Sequence, residues 1–342
     1  MAQVFSNVLN SIAGKTIAIV YIFEGETAQG SRHYDVWRTD VITAWLKAVQ
    51  ELRCLPLILD VRTFANKALN GTLPRIDYVI NLNNGNLDIS TLSLVPSVCA
   101  FLAIPCIPCD SATLLTGESK MISNLIAASC NIVTPKDLPS TSNAGINRPN
   151  SMGSSIGVVR GERISETDLY QEFIQGFDMT TPILYHPILR RLEVLPPIMY
   201  YPDNNDLQWY LGEKEKATHA SYKKLAVAFD DETREHYLKL AKKCGITTFC
   251  RIDSRVFCSS QEELHTLSQT IIPFERVRFI EINPMPTIKE GINFLSSLNS
   301  VETDNPFYSL LNTYMGIIQE ATMTGFILSC SILALSKPDI KE

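Results

Sequence analysis

The sequence predicts an α/β protein built from more than one lobe, and three observations support this class. The first hundred residues alternate β-branched runs with segments of helical spacing, which is typical of a parallel sheet covered by helices. The later runs Thr180–Tyr185 and Leu192–Tyr200 are typical of antiparallel strands, with Pro196-Pro197 indicating an edge or a bulge in the second. A chain of 342 residues with 45% hydrophobic content exceeds one average domain and can bury a sizeable core.

Continuous apolar runs define the expected strands of the N-terminal region. The predicted elements are strand Lys15–Phe23, helix Asp35–Arg53, and strands Leu55–Leu59, Asp77–Leu82 and Phe101–Ile107. Ligands of parallel sheets bind beyond the carboxyl ends of strands, so the loops at 24–27 and 83–86 are candidate substrate walls. The G-x-G-x-x-G fingerprint is absent after the first strand, which argues against an NAD enzyme.

The rest of the chain changes pattern after Ser111. The predicted elements are helix Glu118–Ser129, loop Pro135–Pro149, strands Leu169–Phe177, Thr180–Tyr185 and Leu192–Tyr200, a polar segment Asp203–Lys224, helix Asp230–Cys244, strands Thr247–Phe257 and Arg276–Pro284, and helix Phe307–Leu335. The run 150–157 is rich in glycine and serine, so its backbone could approach an anion closely. An ordinary surface turn is the alternative for that run.

Composition limits the partners and the location. A net charge of -6 and a pI near 5.5 argue against a nucleic-acid partner, because phosphate backbones are bound by clustered basic residues. We expect a cytoplasmic protein with no membrane partner, since the N-terminus does not resemble a secretory signal and the apolar stretch Ala321–Ser336 is too short to span a bilayer. The nine cysteines, including the pair Cys106 and Cys109, are expected to be reduced core residues.

Two short strings near the C-terminus carry oxygen ligands. Arg251-Ile252-Asp253 falls in one predicted strand, and Glu281-Ile282-Asn283 falls in the next. Mg²⁺ is usually held by one or two carboxylates together with phosphate oxygens. Projected from the same face of neighbouring strands, these two acids and the amide could therefore hold the metal of a nucleotide site. An ordinary ion-paired cluster is the alternative.

A series of strings in fixed order resembles the D-alanine–D-alanine ligase branch of the ATP-grasp superfamily. The series consists of Lys120, Arg148-Pro149, Gly153-Ser154-Ser155-Ile156-Gly157, Tyr170–Asp178, Arg251-Ile252-Asp253 and Glu281-Ile282-Asn283. The resemblance implies an ATP-grasp fold with three lobes in a divergent member of the family. These would be a Rossmann-like parallel sheet in residues 1–110, a small trimmed lid with the phosphate loop in 111–177, and a mainly antiparallel α+β catalytic domain in 178–342.

The resemblance also implies an activity. Family members are ATP-dependent ligases that join a carboxylate to an amine through an acyl phosphate, with ATP, two Mg²⁺ ions or Mn²⁺ in their place, and amino-acid-like substrates. A homodimer through the N-terminal lobe is a further family-level expectation. We favour a specialised ligase over the cell-wall dipeptide ligase, because the lid and the substrate turn both deviate. A non-catalytic nucleotide-binding or regulatory protein is the alternative from another class.

By position, the resemblance assigns roles to individual residues. Asp253, Glu281 and Asn283 would bind metal, and Arg251 would steady the transferred phosphoryl group. The ATP-binding set would be Lys120, Arg148, Gly153, Ser154, Ser155, Gln171, Glu172, Ile174 and Asp178. Arg148 replaces a family lysine, and Asp178 replaces the usual glutamate at the ribose. Ser155 and either Lys214 or Lys216 would complete the catalytic set.

The lid and the substrate end depart most from the family pattern. Only 28 positions separate Lys120 from Arg148, so the lid is expected to be short, and water exclusion would depend on Trp209–Tyr222 folding over the site. The predicted substrate-binding residues are Glu24 or Glu26 for an amino group, and Thr287 and Lys289 for a carboxylate. His33 lies near the first loop and is interpreted as incidental.

Overall fold

The computed structural model describes residues 1–22, 39–84, 89–151, 153, 155–204, 206–212, 215, 222–260, 263, 271–289 and 293–336. Within these ranges the chain forms a four-stranded parallel sheet, a three-stranded antiparallel sheet and a six-stranded antiparallel sheet, together with a short two-stranded pair. The predicted α/β class with a parallel N-terminal sheet and an antiparallel C-terminal sheet is confirmed.

Four parallel strands form the N-terminal sheet. The elements of this region are α1 (Ala2–Ile12), β1 (Thr16–Tyr21), α2 (Thr39–Glu51), β2 (Leu55–Asp60), α3 (Val61–Leu69), β3 (Tyr78–Leu82), α4 (Ile89–Leu92), α5 (Leu94–Phe101) and β4 (Cys106–Ile107). The strand order is β2-β1-β3-β4. The strand expected over Phe101–Ile107 shrinks to two residues, because Phe101 ends α5 and Ala103 turns the chain with φ +54°. Helix α1 was not predicted.

A small sheet follows the first helices. The elements are α6 (Ser111–Glu118), α7 (Lys120–Ser129), β5 (Gly145–Arg148), β6 (Val159–Arg160) and β7 (Leu169–Glu172). The strand order is β6-β5-β7, and both pairings are antiparallel. The predicted helix Glu118–Ser129 begins only after Ser119, whose hydroxyl caps α7. The predicted loop Pro135–Pro149 contains β5, which its Pro and Asn content had hidden.

The large antiparallel sheet forms the platform of the C-terminal part. Its elements, with the helix and short strands that pack on it, are β8 (Gly176–His186), β9 (Arg191–Val194), β10 (Ile198–Pro202), β11 (Tyr222–Ala226), β12 (Ala228–Phe229), α8 (Asp231–Lys243), β13 (Phe249–Phe257), β14 (Ile271–Ile272) and β15 (Val277–Asn283). The order is β11-β10-β8-β13-β15, with β9 beside β8. The predicted strand Leu169–Phe177 starts where β7 starts but is wrong in its extent, since β7 ends at Glu172 and β8 begins at Gly176. The strand expected over Leu192–Tyr200 is two strands instead, because Pro196-Pro197 separates β9 from β10.

The last three helices among the described residues pack against α1, α2 and the large antiparallel sheet. They are α9 (Asn293–Asn299), α10 (Tyr308–Ile317) and α11 (Met323–Leu335). Phe294, Phe307 and Phe326 share one core with Phe5 and Trp45 of the N-terminal helices. The helix expected over Phe307–Leu335 is interrupted, because the Thr322 hydroxyl caps the start of α11. Within the described residues, no helix is long and apolar enough to cross a membrane.

Candidate active site

Four polar residues form two neighbouring cross-strand pairs on the large sheet. On β13 and β15, Asp253 lies opposite Glu281, and Arg251 lies opposite Asn283. Apolar residues of β13 between these positions, such as Ile252, face the core below. Because side chains alternate along a strand, the four polar residues share the open face. The predicted metal and phosphoryl residues therefore come together as the sequence suggested.

Asp253 is held by its neighbours. Nε of Arg251 donates to Oδ1 of Asp253 at 2.9 Å, and an Nη donates to Oδ2 at 2.6 Å. The hydroxyl of Thr180, which lies opposite Asp253 on β8, also donates to the carboxylate. Burial lowers the pKa of Arg251, but the adjacent Asp253 carboxylate outweighs burial and raises it. The guanidinium is therefore permanently charged beside this acid.

Glu281 receives two cations from other elements. Nζ of Lys120, at the start of α7, lies 3.3 Å from Oε2 of Glu281, and an Nη of Arg148 on β5 lies 3.2 Å from the same oxygen. Arg148 also donates to the Ile280 carbonyl at 2.9 Å. Ile280 is the extra residue of a β-bulge beside Asp253, so its carbonyl is open to such a partner. Burial lowers the pKa of Arg148, and Glu281 partly offsets that effect.

A pocket lies between the small sheet and the large sheet, next to Glu281, with about 650 Å³ of empty space, part of which is open to solvent. The predicted residues that line it are Lys120, Arg148, Ser155, Gln171, Glu172, Ile174, Asp178 and Glu281. Gln171 is buried, accepts from Arg148 at 3.3 Å and donates to Asp137 at 3.2 Å. The apolar walls include Ile146 and Ile280. Such a cleft, with apolar walls and a few charged side chains, suits a nucleotide.

One further segment, residues 206–212, crosses the outer edge of this pocket, and we call it the strap. The Ser155 hydroxyl donates to the Leu211 carbonyl at 3.1 Å, and the Leu211 amide donates to Asp178 at 2.6 Å. Tyr210 packs edge-on against Phe173 and lines the pocket. The expectation that Trp209–Tyr222 covers the site therefore has structural support for its first residues, while 213–214 and 216–221 lie outside the described residues.

Sequence reasoning missed Arg255, which is 4% exposed and lines the pocket. It lies opposite Asp178 across β13 and β8, and its Nη1 donates to Oδ1 of Asp178 at 2.9 Å. Its place two residues after Asp253 on the same strand was the available signal, because residues at that spacing share a face.

Several predicted residues lie elsewhere. Glu24, Glu26, His33, Ser154, Lys214 and Lys216 fall outside the described residues. Gly153 is described but does not line the pocket. Lys289 forms an ion pair with Asp40 at the start of α2, and neither Thr287 nor Lys289 lines the pocket. At the sheet edge, the Asn83 amide donates to the Thr91 carbonyl at 2.7 Å, so this side chain fastens its own loop.

The donor set fits Mg²⁺ held jointly with phosphate groups. Asp253 and Glu281 are opposite one another, and the amide oxygen of Asn283 accepts from the Met285 amide at 3.0 Å. Among the described residues, no group of three or more His, Cys, Asp and Glu could hold a metal ion on its own. Two carboxylates and an amide need further oxygens to complete an octahedron, and a nucleotide supplies them.

Comparisons with solved structures show similar folds over nearly the whole chain. The D-Ala:D-Ser ligase VanG from Enterococcus faecalis superposes with a TM-score of 0.59 and 14% identity, covering 94% of this chain and 99% of that one. A D-alanine–D-alanine ligase from Bacillus anthracis, solved with ATP, gives 0.57 and 14%, covering 94% and 97%. The D-alanyl-alanine synthetase A of Vibrio cholerae O1 biovar eltor gives 0.61 and 11%, covering 95% and 100%.

Comparisons of the sequence itself gave no match. No family model matches it, and no curated protein matches it significantly. The likeness therefore lies in the fold. This chain has the ATP-grasp fold of the D-alanine–D-alanine ligases.

Proposed function

We propose that this protein is an ATP-dependent carboxylate–amine ligase. The observation that carries the proposal is the arrangement around Glu281: Asp253 stands opposite it, and Lys120 and Arg148 converge on it from two other elements. A triphosphate with its metal needs cations for the phosphate oxygens and acids for the metal, side by side. The fold shared with D-alanine ligases supports the same reaction class.

The proposed reaction has two steps. A carboxylate oxygen of the first substrate attacks the γ-phosphorus of ATP, the bond to the β-phosphate oxygen breaks, and ADP leaves. The amine of the second substrate then attacks the acyl carbon, phosphate leaves with the bonding electrons, and the nitrogen loses a proton. Dividing the condensation in this way replaces a poor leaving group with a good one.

The residues of this chain would bind and position the reactants. Lys120 and Arg148 would hold phosphate oxygens, and Arg251 would offer its planar, permanently charged fork to the transferred phosphoryl group. Asp253, Glu281 and Asn283 would hold Mg²⁺. When bound, Mg²⁺ supplies positive charge that neutralises the developing charge on the phosphate oxygens.

Amino acids are the substrate class to test first, because the structures of similar fold are named as ligases of D-alanine with D-alanine or D-serine. A cell-wall type product and a specialised peptide or amide both remain within this reaction class. The changed turn after Asn283, where Lys289 pairs with Asp40, is the observation behind the specialised version.

The test is ADP release by purified protein with ATP, Mg²⁺ and a panel of D- and L-amino acids and amine acceptors, followed by mass spectrometry of the products. We expect sustained ADP formation that requires both a carboxylate substrate and an amine acceptor and that Asp253→Asn abolishes. Asp203→Asn, which removes an exposed acid after β10, is the matched control. If ADP never forms but calorimetry shows Mg·ATP binding that Asp253→Asn weakens, the protein is a nucleotide-binding module and not a ligase.

A further inference from the structure

Arg255 is a buried cation whose hydrogen bonds all connect parts of the pocket wall. Besides Asp178, it donates from Nε to the Ile174 carbonyl at 2.7 Å, and from Nη2 to the Trp209 carbonyl at 2.9 Å and to the Gly176 carbonyl. A guanidinium taken out of water needs such partners, because an unpaired buried charge is strongly destabilising. Arg255 therefore links the strand end at 174–178 to the strap.

The small sheet also holds the strap, through contacts that do not involve Arg255. Nη2 of Arg160 donates to the Gln208 side chain at 3.1 Å, and the Arg160 guanidinium lies 3.9 Å from the centre of the Phe173 ring. Arg255 lies 4.9 Å from the centre of that ring. Through Phe173 and the strap, the small sheet and the large sheet on either side of the pocket are therefore both in contact with Arg255.

These contacts fix the carboxylate of Asp178. Oδ1 accepts from Arg255, and Oδ2 accepts from the Leu211 amide at 2.6 Å. Each carboxylate oxygen has two lone pairs, so one acceptor direction on each oxygen remains for another donor. The side chain is three-quarters buried at the pocket wall, at the end away from Arg251 and Asn283. A vicinal diol presents two hydroxyl donors that match such a carboxylate.

We propose that Arg255 is a positioning residue for the sugar of a bound ribonucleotide. By holding Asp178 and the strap together, it presents a preformed acceptor to the ribose hydroxyls and gives the pocket its preference for ribonucleotides over nucleotides without these hydroxyls. This inference rests on the proposed nucleotide site and adds a residue and a selectivity to it.

The test compares two ligands in the presence of Mg²⁺: a non-hydrolysable ATP analogue and its 2′,3′-dideoxy form, titrated by calorimetry. We expect the natural protein to bind the ribose form about tenfold or more tightly, as the loss of charge-assisted hydrogen bonds implies. Arg255→Met should bring this ratio close to one, mainly by weakening the ribose form. Arg278→Met is the matched control, since Arg278 lies opposite Arg255 on β15 and donates to the carbonyls of Glu275 and Val277 instead.

Fluorescence of Trp209, which is part of the strap, gives a second readout when Trp37 and Trp45 are both replaced by Phe. We expect its emission to shift in Arg255→Met without ligand, and to stay unchanged in Arg278→Met. If Arg255→Met does not fold, Arg255→Lys replaces it: it keeps the charge and loses the fork, so the ligand ratio should still fall.

The outcomes are distinguishable. Equal weakening of both ligands in the Arg255 variants would indicate general damage to the fold and overturn the positioning role, as would a ligand ratio that does not change. A natural protein that binds both ligands equally also overturns it. Failure of the natural protein to bind either ligand would instead remove the proposed nucleotide site.

Discussion

The two acids that lie opposite one another on β13 and β15 already face basic partners. Asp253 is paired with Arg251, Glu281 with Lys120 and Arg148, and all of these side chains are largely buried. A metal–triphosphate complex would have to exchange these partners, with the cations moving to phosphate oxygens as the acids receive the metal. Metal and nucleotide should therefore bind as a unit, because either one alone leaves part of this charge uncompensated.

Glu281→Gln tests this exchange. The neutral side chain no longer compensates the positive charges of Lys120 and Arg148, so we expect metal-free ATP to bind more tightly. The rate of ADP release should fall by about 100-fold or more, because a metal ligand is lost. Binding with and without a chelator, together with steady-state turnover, measures both effects. Glu275→Gln, in the turn before the same strand, is the control. An unchanged dependence of nucleotide affinity on Mg²⁺ would contradict the assignment.

Gly176 is a second position where one residue decides the geometry. Its φ is +130°, and an added Cβ would lie 2.0 Å from the Val256 carbonyl oxygen. We expect Gly176→Ala to lower the free energy of unfolding by well over about 1 kcal/mol, measured by urea denaturation. Gly161→Ala is the matched control, since Gly161 also has a positive φ, of +104°, but no atom would lie within 4 Å of its Cβ. Equal losses would show that backbone strain alone acts at Gly176.

The sequence identified the residues of the site that belong to short strings on strands, such as Asp253 and Glu281, because strand alternation determines their face. It did not identify Arg255, whose partners Asp178 and Trp209 come from other segments. The pair between Lys289 and Asp40 was equally hidden, since nothing local in either segment specifies contact across the chain.

Among the secondary-structure elements, strands with apolar alternation were predicted well and interruptions poorly. The prediction for β13 was close, because Phe249–Phe257 alternates core and polar positions. The breaks at Ser119, at Gly176 and before Thr322 were missed, because capping hydrogen bonds and positive φ angles decide them and propensity does not. Helix α1 has a clear apolar face, with Phe5, Val8 and Ile12 buried, and periodicity could have found it.

The cap of α8 allows a prediction about pH. The Asp230 side chain accepts from the Thr233 amide at 2.8 Å. Burial raises the pKa of Asp230, but hydrogen bonds from Thr233 and Phe274 outweigh it, so the pKa lies below its ordinary value of 3.8. The cap should therefore stabilise the fold above pH 3.8, and this contribution should vanish as the pH falls through the lower folded-state pKa.

Asp230→Ala is expected to lower the free energy of unfolding by about 1 kcal/mol at pH 7. The difference from the natural protein should shrink when the urea titrations are repeated at successively lower pH. Asp231→Ala removes an exposed acid in the first turn of the same helix and serves as the control. A difference that persists unchanged into strong acid would show that the carboxylate charge is not what stabilises the helix.

Across the whole molecule, packing joins regions that are distant in sequence. Helices α9 to α11 share one core with α1 and α2, while a second core lies between the large sheet and α8. The carboxylate of Glu51 on α2 accepts from the Thr322 amide at 3.0 Å and so links α2 to the start of α11. The residue boundaries of the three lobes at 110 and 177 stay a prediction, because sequence pattern does not reveal which elements share a core.

Ligand binding should stabilise the molecule as a whole, because the pocket is built from α7, β5, β7, β8, β13 and β15. An ATP analogue with Mg²⁺, at a hundred times its Kd, is expected to raise the free energy of unfolding by about 2.7 kcal/mol. The same concentration of Mg²⁺ alone should have little effect, since Lys120 and Arg148 counter Glu281. Urea titrations without ligand, with Mg²⁺ alone and with Mg²⁺ and the analogue measure these free energies of unfolding. A full increase from Mg²⁺ alone would contradict the pairing of Glu281 with Lys120 and Arg148.

The cysteines provide a way to follow how separate parts of the protein open. All nine are free thiols; eight are buried and Cys106 is partly buried. They are distributed over the cores, with Cys54, Cys109 and Cys330 in one, Cys130, Cys244, Cys250 and Cys258 in the second, and Cys99 in the third. A buried thiol reacts only when its surroundings open. The labelling rate at each cysteine, read by mass spectrometry, would therefore time the local unfolding of each core in the natural sequence, without an engineered probe.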